Sequence, residues 1–370
     1  MPKSPAVEIA APAPDGGHRI VRVTSPDRVM YPATERTPAV TKLMMAEYIA
    51  AVGKPLLRVL RDRPTTLERW PSGVHPGMRL AQGPNDREAD GFYQKRVMKG
   101  APDYVQTARI TFPSGRTADE VCPSEVAVAI WCAQMGTITF HPWPVRVSPD
   151  PHCLDQPDEL RIDLDPQPGT TFADVVRVAN VTREVLTDLD MTGFCKTSGN
   201  RGVHVYVRIE PRWDFLDVRH AAIAVGRELE KRDAGVTTAW WREERGARVF
   251  VDYNQNTRDR TIAAAWSLRA VQGAPVSTPL TWAELADIRD PHDLNLFTVP
   301  ERLASTGDPW RDMDRKAYSI QPLLDLWDEH PAELNFPPDH PKMPGEPPRV
   351  QPSRKVAANW DADGNPVLNS

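Results

Sequence analysis

The chain has 370 residues, 50 acidic and 45 basic side chains, and a formal net charge of −5. That length can bury a sizeable core, and the negative balance excludes a general cationic coat for nucleic acid, so any DNA surface must be a local patch. Cys122, Cys132, Cys153 and Cys195 form no Cys-x-x-Cys pair, which indicates neither a zinc module nor a disulfide framework, and the lack of a signal peptide or a membrane-length apolar run points to a cytoplasmic protein without membrane contacts.

Residues 1–18 are rich in Ala and Pro and read as a disordered arm. Residues 19–336 read as the folded body, and residues 337–370, again dense in Pro, as an extended strap or loose end. Helices are predicted near 40–61, 124–135, 171–190, 217–233 and 320–328, alternating with strands and without internal repeats. Basic segments at 58–63, 95–99 and 242–248, which hold Lys95 and Arg245, are candidate DNA patches, with Arg69 and Tyr93 as further candidate DNA contacts, although such runs are more often solvated faces. The expected fold class is α+β, a central mixed or antiparallel sheet flanked by helices, with a cleft across one sheet face.

The stretch Leu160-Arg161-Ile162-Asp163-Leu164-Asp165 alternates with period two, so Leu160, Ile162 and Leu164 face a core while Asp163 and Asp165 project together on the other side. Paired carboxylates repel, and a rigid pair of this kind usually awaits a divalent cation; the alternative is a strand end whose acids are solvated or paired with arginines. After the turn Pro166-Gln167-Pro168-Gly169, Thr170 or Thr171 can cap a helix with Asp174 in its first turn. The block Lys196-Thr197-Ser198-Gly199-Asn200-Arg201-Gly202 can turn backbone N–H groups and the Arg201 guanidinium toward a phosphate. In the following strand Val203, Val205 and Val207 form the buried row, leaving His204 and Tyr206 on the other face. Further on, Arg248-Val249-Phe250-Val251-Asp252 reads as a strand that supplies a third carboxylate, Asp252, and Trp266-Ser267-Leu268-Arg269 as another strand-like segment that supplies Arg269. Three carboxylates, a phosphate loop and an arginine are what metal-assisted phosphoryl or nucleotidyl transfer requires.

Taken in order, Asp163-Leu164-Asp165-Pro166, Lys196 to His204, Val251-Asp252-Tyr253-Asn254-Gln255-Asn256 and Ser267-Leu268-Arg269 resemble the polymerase domain of bacterial ligase-D-type end-joining enzymes, within the archaeo-eukaryotic primase superfamily. The resemblance extends through Pro26 to Pro32, Arg69-Trp70-Pro71, Phe92-Tyr93-Gln94-Lys95, Phe140-His141-Pro142-Trp143, Pro279 to Leu285 and Val299 to Leu303, covering roughly residues 20 to 335. It implies that Asp163, Asp165 and Asp252 bind two Mn2+ or Mg2+ ions. It also implies that Ser198, Arg201, His204 and Arg269 contact nucleotide phosphates, with His141 and Gln255 beside the nucleotide and His141 near its sugar. Phe92, with Tyr93 beside it, would stack on a base; the plainer reading of that pair is a core contact. Arg28 stands where the family has a lysine for a DNA 5′-phosphate, Lys42 takes the place of a second basic residue, and Glu68 replaces a basic residue just before the Arg69-Trp70 pair. Residues 75–91 look longer than the usual loop and are a candidate DNA-shaping element or a functionless insertion.

With nothing resembling a ligase or nuclease module, the chain reads as a free-standing, template-dependent nucleotidyltransferase filling short gaps in DNA, preferring ribonucleoside triphosphates over the deoxy forms and associated with the nucleoid. An end-joining polymerase working with a separate DNA ligase and a Ku-type protein is the second reading. A catalytically idle gap binder and a metal-dependent phosphoesterase are further alternatives, the first disfavoured by the retained carboxylates and the second by the Phe92 platform.

Overall fold

The computed structural model describes residues 4–81, 86–112, 116–150, 152–332 and 334. Its first element is a hairpin: β1 (Val7–Pro12) pairs antiparallel with β2 (His18–Val23) and both rest on α3 (Val126–Gln134). The segment expected to be a disordered arm is thus a strand. Its Ala and Pro content masks a period-two pattern in which Val7, Ile9 and Ala11 turn inward, and Asp15 closes the turn by accepting the Gly17 N–H at 3.0 Å. The Pro-rich tail lies outside the described residues.

Two short strands, β3 (Val29–Tyr31) and β4 (Val40–Thr41), precede α1 (Lys42–Ala51) and α2 (Gly53–Leu60). The helix expected over 40–61 is therefore two. Pro55 has no N–H to donate back to Ala51, and at Gly53 the backbone approaches α3 so closely that an added Cβ would lie 2.5 Å from Val126 Cγ1. The next strands are β5 (Thr65–Arg69), β6 (Phe92–Gln94), β7 (Thr107–Thr111), β8 (Thr117–Val121) and β9 (Thr137–Pro142). They form an antiparallel sheet in the order β6-β5-β8-β7, with β9 also paired to β5.

The second half supplies β10 (Glu159–Pro166), α4 (Phe172–Asp188), β11 (Phe194–Thr197), β12 (Val203–Arg208), α5 (Phe215–Arg232), β13 (Val236–Thr237), α6 (Arg242–Arg245), β14 (Val249–Val251) and β15 (Pro279–Leu280). It ends with α7 (Trp282–Asp287), α8 (Val299–Thr306) and α9 (Gln321–Glu329). The strands make a mixed sheet, β13-β14-β10-β12-β11-β15, in which only the β13–β14 pairing is parallel. Thr171 caps α4 in a reciprocal box with Asp174, as the sequence predicts. No helix among the described residues is long and apolar enough to cross a membrane.

Two devices join the sheets. Residues 264–278 run between them: the Ala264 N–H donates to Phe140 O of β9, Ser267 Oγ accepts the Phe140 N–H, and the Trp266 N–H donates to Ser277 O. This is a bridging turn, with Trp266 at φ 68°, rather than the strand expected there. Beneath it Arg63, fully buried just before β5, pairs with Asp158 at 2.6 Å and Glu159 at 2.8 Å, and Glu159 also holds Arg161. Buried ions lose hydration on folding, so each must gather several partners, and a network of this kind commits the two halves to one relative position.

Candidate active site

Strand alternation on β10 places Asp163 and Asp165 on one face, and the antiparallel register sets Asp163 opposite His204 of β12 and Asp165 opposite Phe250 of β14. Asp252 is the first residue beyond β14, not part of a continuing strand. Its N–H donates to Asp163 O at 3.0 Å, and its carboxylate caps the next turn, accepting the Asn254 N–H and the Gln255 Nε2–H at 3.1 Å each. Gln255, expected beside a nucleotide, therefore steadies the third acid.

The three carboxyls are poorly compensated. Burial pushes Asp163 up to about 6; the neighbouring Asp163 charge and then burial push Asp165 to about 7; burial and the other two acids bring Asp252 to about 7. Asp163 Oδ1 is buried with no hydrogen bond, although His204 Nε2 stands 3.2 Å away out of line. Among the described residues no three acidic, His or Cys groups converge closely enough to hold a metal ion as they stand; Asp163 and Asp165 share one wall of a cavity, and Asp252 is joined to them through its N–H on Asp163 O. An all-carboxylate oxygen set with an orphaned oxygen and mutual repulsion fits a hard divalent cation.

That cavity measures about 510 Å3 and is also lined by His141, Ser198, Arg201, His204, Arg245, Gln255 and Arg269. The Ser198–Gly202 loop closes on itself through the Ser198 N–H to Gly202 O bond of 2.9 Å. Contrary to the expected cradle, the Asn200 and Gly202 N–H groups turn inward to Ser198 Oγ, so the loop offers the Ser198 O–H and the exposed Arg201 guanidinium. Gly199 has φ +72° and leaves room for Arg269, whose Cγ would lie 2.5 Å from an added Cβ. Arg269 donates one bond to Ser198 O at 3.2 Å and keeps Nε buried without a partner. Tyr31 O–H, donating to Arg269 O at 2.9 Å, pins its backbone.

Sequence reasoning assigns no role to Lys196, yet it sits fully buried behind His204, donating to His204 Nδ1 at 2.9 Å and to Ser277 Oγ. Burial and nearby Lys196 hold His204 well below its ordinary pKa, so the ring is neutral. Only knowledge of the β11–β12 register, which sets Lys196 opposite His204, reveals the pair.

On the other sheet, His141 Nε2 lies 2.9 Å from Glu68 Oε2, and Trp70 Nε1 donates to Glu68 Oε1 at 2.8 Å. Burial raises Glu68, but the His141 hydrogen bond and Arg269 outweigh it and hold the carboxyl at about 2. Burial keeps His141 neutral. Tyr93, opposite Glu68 in the β5–β6 register, stands edge-on to His141 at 5.4 Å and remains 47% exposed. Phe92, the expected stacking residue, points away from this wall, under the Arg69 guanidinium at 5.3 Å; alternation on β6 admits only one of the two aromatics to the site.

Three basic residues considered for DNA are otherwise engaged. Arg69 donates to Met135 O and Gln94 Oε1, Arg245 is buried over Phe250 and donates to Ala239 O and Trp240 O, and Lys95 lies 4.2 Å above the Phe112 ring. Arg28 and Lys42 do converge, in a separate cavity of about 220 Å3 with Thr24, Ser25 and Gln134. Burial and then Arg28 lower the Lys42 pKa, and Lys42 Nζ donates to Gln134 Oε1 at 3.1 Å while Arg28 donates to Pro71 O at 2.9 Å. The 75–91 loop includes residues 82–85, which lie outside the described residues; its flanks are tied by Arg79–Asp86 and by the Ala81 N–H to Gly91 O.

A family model described as LigD, primase-polymerase domain, matches residues 41–310. The chain is 31% identical over 300 residues to the multifunctional non-homologous end joining protein LigD of Mycolicibacterium smegmatis, a match covering 80% of this chain and 36% of that protein. It is 31% identical over 299 residues to the LigD of Pseudomonas aeruginosa, with 79% of this chain and 32% of that protein covered, so it spans about a third of these relatives' length. Among solved structures it matches the polymerase domain of Mycobacterium tuberculosis ligase D in complex with DNA, with a TM-score of 0.70 and 30% identity, over 80% of this chain and 99% of that one. With the model spanning most of its length and the likeness reaching both sequence and fold, the chain belongs to the LigD primase-polymerase domain family.

Proposed function

We propose that the protein is a template-dependent nucleotidyltransferase that fills short gaps in DNA, with ribonucleotides preferred. The observation that carries this reading is one cavity that joins Asp163, with its orphaned oxygen, and Asp165 to Arg269, with its unpaired Nε, and to the neutral donor His204, while Asp252 is bonded through its N–H to Asp163 O and repels both acids. Asp163, Asp165 and Asp252 would hold two Mg2+ or Mn2+ ions, whose bound form supplies Lewis-acid stabilisation of a reacting phosphate. Around them, Arg269, Arg201, Ser198 and His204 place hydrogen-bond donors where a triphosphate's oxygens carry charge, and Tyr93 offers an aromatic face for a base.

The DNA-bound state of the structural neighbour supports DNA as the partner. The Arg28–Lys42 cavity supports gaps: two cations held near each other over a small polar pocket suit a terminal 5′-phosphate. The relatives' end-joining names support a second setting for the same chemistry, at breaks and beside a separate ligase or a Ku-type protein.

Purified protein offered an open primer-template, short gaps with and without a 5′-phosphate and a blunt break, each with ribo- or deoxyribonucleoside triphosphates, tests the reading. Phosphorylated gaps should fill fastest, with the advantage shrinking as salt rises and disappearing in an Arg28→Ala, Lys42→Ala double variant. Equal filling of phosphorylated and unphosphorylated gaps by the unmodified protein would remove the case for gap repair.

A further inference from the structure

The cavity is faced by two histidines whose tautomers are set from behind in opposite senses. His204 receives Lys196 at Nδ1 and faces the Asp163 carboxylate with Nε2, so its proton sits on Nε2 and it can donate to an anion. His141 is the reverse. Its Nε2 meets Glu68, an ionised carboxylate that can only accept, so the proton is fixed there and Nδ1 keeps its lone pair. Trp70 Nε1–H occupies the other Glu68 oxygen, which prevents the carboxylate from swinging away.

A ring nitrogen with a lone pair repels a phosphate oxygen and welcomes a hydroxyl. The arrangement along the cavity says which hydroxyl. Phosphate donors gather at His204 and Arg269, His141 lines the same cavity, and Tyr93, edge-on to His141 at 5.4 Å, is the exposed aromatic ring next to it. A nucleotide whose phosphates and base occupy those places presents its sugar to His141.

We propose that Glu68 is a positioning residue for sugar selection: by holding the proton on His141 Nε2, it keeps Nδ1 an acceptor for the 2′-hydroxyl of a ribonucleotide. The inference rests on the nucleotide-binding part of the function proposed above. It also gives a role to the acid that replaces the basic residue expected at position 68, because a cation there would donate to His141 Nε2 and reverse the tautomer. A site built to accept from a hydroxyl discriminates against the analogue lacking it.

Glu68→Gln keeps the side-chain size and an acceptor for Trp70 but turns an amide N–H toward His141, moving the ring proton to Nδ1. Nitrogen-15 NMR of His141 in the protein alone reads the tautomer, and titration of ATP and 2′-deoxy-ATP onto the complex with gapped DNA and Mn2+ reads selection. The unmodified protein should carry the proton on Nε2 and favour ATP; Glu68→Gln should carry it on Nδ1 and lose about fivefold of the ATP preference, the worth of one hydrogen bond. His141→Ala should lose as much, and the double variant no more. Equal binding of the two nucleotides by the unmodified protein, an unchanged preference in Glu68→Gln, or a further loss in the double variant would overturn the proposal. Nucleotide binding and selection without primer extension would instead refute the nucleotidyltransferase reading while leaving the role of Glu68 standing.

Discussion

As the proposed metal ligands, Asp163, Asp165 and Asp252 would trade stability for readiness to bind a cation. In each the folded protein raises the pKa above the ordinary 3.8, to about 6 for Asp163 and about 7 for the other two. The protonated carboxyls are therefore compatible with the fold, and the stability they contribute is fully present below about pH 4 and lost as pH rises through 6 to 7. Moving one carboxyl this far corresponds to on the order of 4 kcal/mol, and the three do not add because each shift is partly the others' charge. Without metal, the melting temperature of Asp165→Asn should exceed that of the unmodified protein at pH 8 and approach it at pH 5. Added Mn2+ should raise the melting temperature of the unmodified protein at pH 8 far more than at pH 5, and the Asn variant should lose most of that gain. Thermal denaturation across pH checks this; a Mn2+ gain as large at pH 5 as at pH 8 would contradict it.

Among the elements, the Ser198–Gly202 loop shows how a backbone shape serves a side chain elsewhere. Gly199 combines a φ of +72° with contact to Arg269, and an added Cβ would also lie 2.8 Å from Ser277 N. Gly199→Ala should lower nucleotide affinity at least about tenfold by displacing Arg269, whose charge-assisted hydrogen bonds are worth roughly 1.5–3 kcal/mol each. DNA affinity should change little, and parallel titrations of nucleotide and DNA would show whether the two losses separate. The same elements show what a single sequence discloses. The acidic pair on β10 and the Thr171 cap were legible because strand alternation and capping act between near neighbours. The β1 strand was hidden by its Ala and Pro content, and the choice of Tyr93 over Phe92 depends on which face of β6 meets β9. Lys196 behind His204 and Glu68 behind His141 arise from strand registers and sheet packing, between residues 8 and 73 positions apart, and no local pattern announces them.

Across the whole molecule, the site exists only because two sheets are held together. The mixed sheet brings the acids, His204 and the Ser198–Gly202 loop; the other sheet brings His141, Glu68 and Tyr93. The bridging turn around Trp266 delivers Arg269 to their junction, and the buried Arg63–Asp158–Glu159–Arg161 network fixes the spacing beneath it. The net-acidic chain keeps a confined cationic pocket at Arg28 and Lys42, apart from the carboxyls, and the proposed 5′-phosphate contact would fall there. The most direct test of metal-centred nucleotidyl transfer at the three acids is primer extension on a gapped template with Mn2+, comparing the unmodified protein with an Asp163→Ala, Asp165→Ala double variant while DNA binding is followed by fluorescence anisotropy. The account predicts extension by the first, near-complete loss in the second and comparable DNA affinity in both; extension retained by the double variant would contradict it.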